Sequence, residues 1–148
     1  MLARMLTSQM EAKDQRREEL SERMYRILVV DDECSVCQAL VMGFASHEFT
    51  VDVAANGQTA IQLACPGKYD VLIADLGLPD MNGMEVIQKI KERHPEIITI
   101  VITAHSTEEN CREASQNGVT RFLEKPFTLK AIKTAVREAL AERYPAPD

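Results

Sequence analysis

Five short apolar segments alternate along the chain with segments of helical spacing. The first, at 27–30, is continuously apolar, as in a parallel strand covered on both faces. The other predicted strands are 49–54, 71–74, 97–102 and 119–123. Helical spacing is seen in Val36, Leu40 and Phe44, in Met84, Ile87 and Ile90, and at 59–64, 107–116 and 129–140. Five strands alternating with five helices predict an α/β fold, a parallel sheet with helices on both faces and right-handed crossovers.

Composition limits the class of protein. A chain of 148 residues fits one ordinary domain, and its net charge of −6 predicts no direct contact with nucleic acid. No apolar run approaches the ~20 residues that a membrane helix requires. The four cysteines do not indicate a disulfide framework in a chain with a full-sized core, so we expect reduced thiols in the cytoplasm.

The two ends of the chain differ from its middle. Residues 1–25 are rich in charge, contain no Gly or Pro, and predict an N-terminal helical extension or arm. A possible apolar stripe is interrupted by Lys13 and Arg17, which leaves open a dimerising or partner-binding helix and a solvated extension. Residues 26–143 form the predicted domain, and 144–148 form a tail. Three Asn-Gly pairs mark element boundaries with residues that tolerate positive φ: Asn56-Gly57, Asn82-Gly83 and Asn117-Gly118.

Polar residues follow the predicted strands at the edge where such sheets bind ligands. Asp31 and Asp32 follow the first strand, Asp75 the third and Lys125 the fifth, and the fourth ends at Thr103. A single Asp at this position is commonly a helix cap, but three carboxylates together repel one another unless a cation neutralises them. Oxygen ligands beside a lysine favour Mg²⁺.

The same residue types suit phosphoryl transfer. A carboxylate can be the nucleophile and form an aspartyl phosphate. Such catalysis needs in-line positioning and neutralisation of the transferred oxygens, which Mg²⁺, the ammonium of Lys125 and the hydroxyl of Thr103 could provide.

Four motifs, in order, resemble those of response-regulator receiver domains. The segment at 27–33 is similar to their opening strand and acid pair, and 75–83 is similar to their phosphoacceptor segment. The segment at 102–104 is similar to their switch threonine, and 125–127 to their lysine–cis-proline turn. The resemblance covers 26–143 and implies the flavodoxin-like strand order 2-1-3-4-5.

The resemblance also implies a role for each matching residue. Asp75 would be the phosphoacceptor, Asp32 would ligate Mg²⁺ directly and Asp31 largely through water. The backbone carbonyl of Gly77 would be a further ligand, and Lys125 would contact the phosphoryl group.

Three further residues would belong to the switch and to the lysine turn. Thr103 would move toward the phosphoryl oxygens, and Phe122 would turn inward. The bond before Pro126 would be cis.

The function that the resemblance implies is a phosphorylation-activated switch in a two-component phosphorelay. The phosphodonor would be a sensor histidine kinase or a phosphotransfer protein. Phosphorylation would alter the face of the fourth helix, fifth strand and fifth helix, which a partner or a second copy would read; the N-terminal arm is an alternative dimer contact. The protein would catalyse only its own phosphoryl transfer and dephosphorylation. No output segment follows the fifth predicted helix, so a single-domain regulator and part of a longer protein both stay open.

Two other functions compete with this one. A Mg²⁺-dependent phosphatase would need an acid/base two residues after Asp75, where Gly77 offers none. A scaffold that is not phosphorylated would be marked by loss of the acid pair, Asp75 or Lys125, all of which are present.

Two smaller features also have alternative readings. Cys34 and Cys37 have the spacing of a redox pair, although packing and helix-surface positions explain them adequately. His105 lies two residues after Thr103, which in the family faces the phosphoryl site, but an exposed loop histidine is an equally good reading.

Overall fold

Five parallel strands lie side by side in the order β2-β1-β3-β4-β5, as predicted. This computed structural model describes residues 24–64 and 68–145. The strands are β1 (Tyr25–Val30), β2 (Phe49–Ala54), β3 (Val71–Asp75), β4 (Ile98–Thr103) and β5 (Arg121–Glu124). The helices are α1 (Cys34–Phe44), α2 (Gly57–Leu63), α3 (Gly83–Arg93), α4 (Glu108–Gln116) and α5 (Leu129–Arg143). Of the predicted arm at 1–25, residues 1–23 lie outside the described residues, as do the last three residues of the chain. Tyr25 belongs to β1 rather than to the arm.

The central strands are buried on both faces because helices cover the sheet on each side. One apolar cluster joins Ile27, Val29 and Ile73 to α1 and α5. The other joins Leu28, Leu72 and residues of α2, α3 and α4. Adjacent residues of a strand point to opposite faces, so a continuous apolar run supplies both clusters.

The observed element boundaries correct some of the predicted ones. Val119 belongs to the turn after α4, where its N–H donates to Ala114 O at 3.0 Å, so β5 begins at Arg121. Helix α5 continues to Arg143 rather than ending at residue 140. Strand β3 includes Asp75 as its last residue.

Of the Asn-Gly pairs, whose residues tolerate positive φ, the described residues show positive φ at Gly118, with φ 73°. Asn56 and Asn82 instead adopt extended backbone and cap α2 and α3 through their side chains. Each side-chain oxygen accepts a backbone N–H of the first turn, which would otherwise have no helical partner. None of the helices in the described part of the chain is long and apolar enough to cross a membrane.

Candidate functional site

The register of the sheet brings distant residues to one edge. Strands β1, β3, β4 and β5 are successively paired, and Asp75 pairs with Ile102, one residue before Thr103. Asp31 follows β1 directly, and Lys125 follows β5 directly. The predicted convergence is therefore confirmed in geometry: Lys125 Nζ lies 2.8 Å from Asp31 Oδ2 and 3.0 Å from Asp75 Oδ2.

Lys125 is the centre of an ion-pair cluster. Besides Asp31 and Asp75, its ammonium contacts Glu33 Oε1 at 2.9 Å, and 10% of the lysine side chain is exposed. Burial by itself would lower the pKa of Lys125, but the contacts with the three carboxylates outweigh it and raise the pKa above its ordinary value. The ammonium therefore stays charged at neutral pH.

Glu33 was not among the residues selected from the sequence. It follows the acid pair, which was a possible signal, but its contact with Lys125 spans 92 positions and depends on the path of the β5–α5 turn.

Asp31 is the most buried carboxylate of the cluster, with 1% of the residue exposed. Its Oδ1 accepts the N–H of Glu33 at 2.9 Å, and its Oδ2 makes the ion pair with Lys125 but no hydrogen bond of normal geometry. Burial raises the pKa of Asp31, and Lys125 opposes this effect in part. Neither Asp31 nor Asp32 is the N-cap of α1; Glu33 occupies that position, without a side-chain cap.

Asp31, Asp32 and Asp75 have the geometry of a possible cation site. Each offers one oxygen, and these oxygens lie within 4.8 Å of one another. Asp31 and Asp75 are buried, whereas Asp32 is exposed and open to solvent. Oxygen donors of this kind fit a hard divalent ion such as Mg²⁺, which keeps several waters and takes one or two carboxylates. A bound cation would also complete the environment of Asp31 Oδ2.

The loop after Asp75 is tightly folded. Gly77 N–H donates to Asp75 Oδ1 at 3.1 Å, and Gly83 N–H donates to Leu76 O at 3.0 Å. A Cβ at Gly83 would lie 2.0 Å from Asp75 O, so only glycine fits where the loop turns back. Gly77 is exposed and presents no side chain to the site, so the structure offers no acid/base there for a phosphatase.

Thr103 and Phe122 lie on neighbouring strands. Thr103 is buried, and its Oγ1 accepts the N–H of His105 at 3.1 Å. Phe122 is half-buried and packs against the cluster under α2, α3 and α4. The Lys125–Pro126 peptide bond is cis, which confirms that prediction. Lys125 N–H donates to Thr103 O at 2.7 Å, which joins the lysine turn to the end of β4.

The structure supports packing and surface positions for the cysteine pair. Cys37 is buried, and its thiol donates to Asp31 O at 3.2 Å. Burial is the largest cause that raises the pKa of Cys37 to about 11, so the thiol stays protonated at neutral pH. Cys34 is exposed on the first turn of α1. His105 is also exposed.

The family model of the response regulator receiver domain matches residues 27–137. The chain belongs to this family. It is 30% identical over 129 residues to the transcriptional regulatory protein GlrR of Escherichia coli K12, covering 87% of this chain and 29% of that protein. It is 34% identical over 114 residues to the transcriptional regulatory protein SrrA of Staphylococcus aureus, covering 77% of this chain and 47% of that protein.

The fold agrees with solved structures of receivers. The signal receiver domain of a putative LuxO repressor from Vibrio parahaemolyticus has a TM-score of 0.75 at 29% identity, covering 80% of this chain and 92% of that chain. A CheY-like receiver from Methanospirillum hungatei has a TM-score of 0.77 at 23% identity, covering 81% of this chain and 96% of that chain. The chain covers 29% and 47% of the length of the two regulatory proteins GlrR and SrrA, so this receiver matches one part of each. As a receiver of a two-component response regulator, it is a phosphorylation-dependent switch module.

Proposed function

We propose that Asp75 is the phosphoacceptor and that its phosphorylation, with Mg²⁺ bound at the acid cluster, switches this receiver. The observation that supports this most directly is the position of Lys125 Nζ, 3.0 Å from Asp75 Oδ2 and 2.8 Å from Asp31 Oδ2. A cation held against a carboxylate at the ligand edge of the sheet is placed to neutralise a group transferred onto that carboxylate. The division proposed from the sequence is a receiver at residues 26–143, an extension at 1–25 and a tail at 144–148; β1 begins one residue earlier than that receiver, at Tyr25.

The reaction proposed is attack by a carboxylate oxygen of Asp75 on the phosphorus of a phosphohistidine, borne by a sensor histidine kinase or a phosphotransfer protein. An O–P bond forms and the N–P bond breaks, and the histidine nitrogen keeps the electron pair. Lys125 neutralises one phosphoryl oxygen, and the Thr103 hydroxyl hydrogen-bonds another. Mg²⁺ held by Asp31, Asp32, Asp75 and the Gly77 carbonyl would supply further positive charge at the transferred oxygens.

A surface groove gives a donor protein access to this site. A groove of about 490 Å³ lies beside Lys125 and is lined by Val36, Ala39 and Phe127 among others. Its apolar lining adjoins the ammonium, so a partner could bury apolar side chains there while its phosphohistidine approaches Asp75. We propose this groove as the place where the phosphodonor docks.

The switch follows from added charge. Phosphorylation adds about −1.5 to −2 charge units at Asp75. Thr103 Oγ1 would exchange its present contact with His105 N–H for the phosphoryl oxygens, and Phe122 would turn into the space vacated. The α4-β5-α5 face would then change shape as a shift between two packings. A partner or a second copy of the chain would read it.

Labelling with a small phosphodonor tests the assignment. The wild type incubated with acetyl phosphate and Mg²⁺ should gain one acid-stable, base-labile phosphoryl group, and Asp75→Asn should gain none. Asp52→Asn is a matched control on β2, because the amide oxygen of the asparagine can still accept a hydrogen bond from the hydroxyl of Tyr69. Full labelling of folded Asp75→Asn, with the phosphoryl group mapped to another residue, would show that the acceptor is wrong.

A further inference from the structure

The loop between β3 and α3, residues 76–82, is called the acceptor loop here because it follows Asp75. Asp80 connects this loop to the first turn of α2. Its Oδ1 accepts the N–H of Gly57 at 2.8 Å, and its Oδ2 accepts the N–H of Gln58 at 2.9 Å. Both donors lie in the first turn of α2, more than twenty positions earlier in the chain. These N–H groups have no partner within the helix, so one carboxylate satisfies two of them. The hydrogen bonds lower the pKa of Asp80, which stays ionised at neutral pH.

Apolar packing fixes the same contact independently. Met81 Cγ would lie 2.5 Å and Val86 Cγ2 2.7 Å from a Cβ at Gly57, so the loop and α3 occupy the space that a side chain would need. Gly57 itself is buried. The tip of the loop therefore rests on the start of α2 through two hydrogen bonds and through Met81.

The acceptor loop is thus held at its base and at its tip. Its base is closed by the hydrogen bond from Gly83 N–H to Leu76 O and by the bridge between Gly77 and Asn82. Its tip is held by Asp80. Gly77, whose carbonyl is the proposed backbone ligand, belongs to the base, three residues before Asp80. A backbone ligand has no rotamers to adjust, so its direction depends wholly on how the loop is held.

We infer that Asp80 is a positioning residue that sets the affinity of the site for its divalent cation by fixing the acceptor loop against α2. The inference rests on the proposed function, because it requires a cation at Asp31, Asp32 and Asp75. Asp80 is not part of the cluster of Asp31, Asp32 and Asp75; it acts on the position of the Gly77 carbonyl.

Two substitutions separate this role from general stability. Asp80→Ala removes both acceptors, and Asp80→Asn keeps one oxygen. Substituting a residue that hydrogen-bonds a metal ligand typically changes the metal affinity by about 10–100-fold. Asp80 acts on the Gly77 carbonyl only through the loop, so we expect the lower limit, about 10-fold weaker Mg²⁺ binding in Asp80→Ala. Asp80→Asn should be intermediate. Labelling by acetyl phosphate should slow at limiting Mg²⁺ and return to the wild-type rate at saturating Mg²⁺, since Asp75 and Lys125 are unchanged.

Glu85→Ala controls for charge. Glu85 is an exposed residue in the first turn of α3 whose carboxylate pairs with Lys89. Its backbone N–H donates to Asn82 O at 3.0 Å, a bond that alanine keeps. Its removal takes away one negative charge, and we expect less than about a two-fold change in Mg²⁺ affinity because exposed charges are screened. Calorimetry with Mg²⁺ alone measures all three variants and the wild type, and thermal unfolding shows that each is folded.

The outcomes distinguish the two proposals. Weaker Mg²⁺ binding in Asp80→Ala than in Glu85→Ala, with recovery at saturating Mg²⁺, supports the inference. Equal effects of the two substitutions, or a slower rate in Asp80→Ala that excess Mg²⁺ does not restore, overturns it while the proposed function stands. A wild type that neither binds Mg²⁺ nor accepts a phosphoryl group overturns the proposed function, and the inference falls with it.

Discussion

Replacing Lys125 with alanine should destabilise the metal-free protein strongly. The ammonium is almost entirely buried and contacts Asp31 and Asp75 at 2.8 and 3.0 Å. Those two carboxylates are themselves buried, with 1% and 6% of each residue exposed. Removing the cation leaves two neighbouring negative charges that water reaches poorly.

The size of the effect has a lower and an upper limit. Breaking a buried ion pair by deleting one partner costs roughly 3–5 kcal/mol. Proton uptake sets the upper limit, because one of the two carboxylates can become neutral. Protonating a carboxyl with an ordinary pKa of 3.8 at pH 7 costs about 4 kcal/mol, at ~1.4 kcal/mol per pH unit. Asp31 should take the proton, since burial already raises its pKa. We therefore expect a loss of about 3–4 kcal/mol at pH 7.

The pH dependence follows from the same limit. In Lys125→Ala, the pKa of Asp31 is higher in the folded than in the unfolded state, so the folded state binds more protons and stability falls as pH rises. At pH 5 protonating the carboxyl costs only about 2 kcal/mol. The difference in free energy of unfolding between Lys125→Ala and the wild type should therefore be smaller at pH 5 than at pH 7. Burial also raises the pKa of Asp31 in the wild type, but there Lys125 opposes the increase.

Urea unfolding in the presence of a chelator, at pH 5 and pH 7, measures this difference. Lys89→Ala is a matched control, because it breaks an exposed ion pair with Glu85 and should cost less than about 1 kcal/mol. The reasoning would be refuted if Lys125→Ala lost no more free energy of unfolding at pH 7 than Lys89→Ala does. An equal loss at pH 5 and pH 7 would also refute it.

Three other perturbations test separate parts of the structure. Asp32→Ala should abolish measurable Mg²⁺ binding by calorimetry, because it deletes the exposed carboxylate of the cluster, and an unchanged affinity would contradict its role as a ligand. Gly83→Ala should lower the free energy of unfolding by about 1–3 kcal/mol in urea, because its Cβ would collide with Asp75 O; a neutral effect would show that the loop can shift. Deleting residues 1–24 should change stability by no more than ~1–2 kcal/mol, because the described strands begin at Tyr25, and a loss of cooperative unfolding would contradict this.

The sheet could be predicted because its constraints are local and repetitive. The continuous apolar run before Asp31 predicts a strand covered on both faces, and parallel strands end at a common edge. That rule alone places Asp31, Asp75 and Lys125 together. The boundaries were harder. Val119 is apolar like a strand residue, but a hydrogen bond to Ala114 holds it in the turn, and the apolar pattern contains no sign of that bond.

The contacts that fix the site depend on loop paths that no sequence period describes. Asn56 and Asn82 mark element boundaries in the sequence and tolerate positive φ, yet in the structure both cap helices, because an Asn side chain serves either purpose. In the sequence Asp80 is one more loop carboxylate, and its contact with α2 depends on the path of the acceptor loop, which brings it to the N–H groups of Gly57 and Gln58. Glu33 was missed for the same reason.

The charges of the cluster indicate an order of events. At full ionisation the four carboxylates of Asp31, Asp32, Glu33 and Asp75 face one ammonium, that of Lys125, which leaves about three negative charges. An aspartyl phosphate would replace the single charge of Asp75 with about two, which would increase the repulsion if nothing else were bound. A divalent cation bound first would reduce the cluster to about one negative charge before the phosphoryl group arrives. Phosphorylation should therefore depend on Mg²⁺ rather than merely be faster with it. Chelator-treated protein that is still fully labelled by acetyl phosphate would show that Lys125 alone neutralises the site.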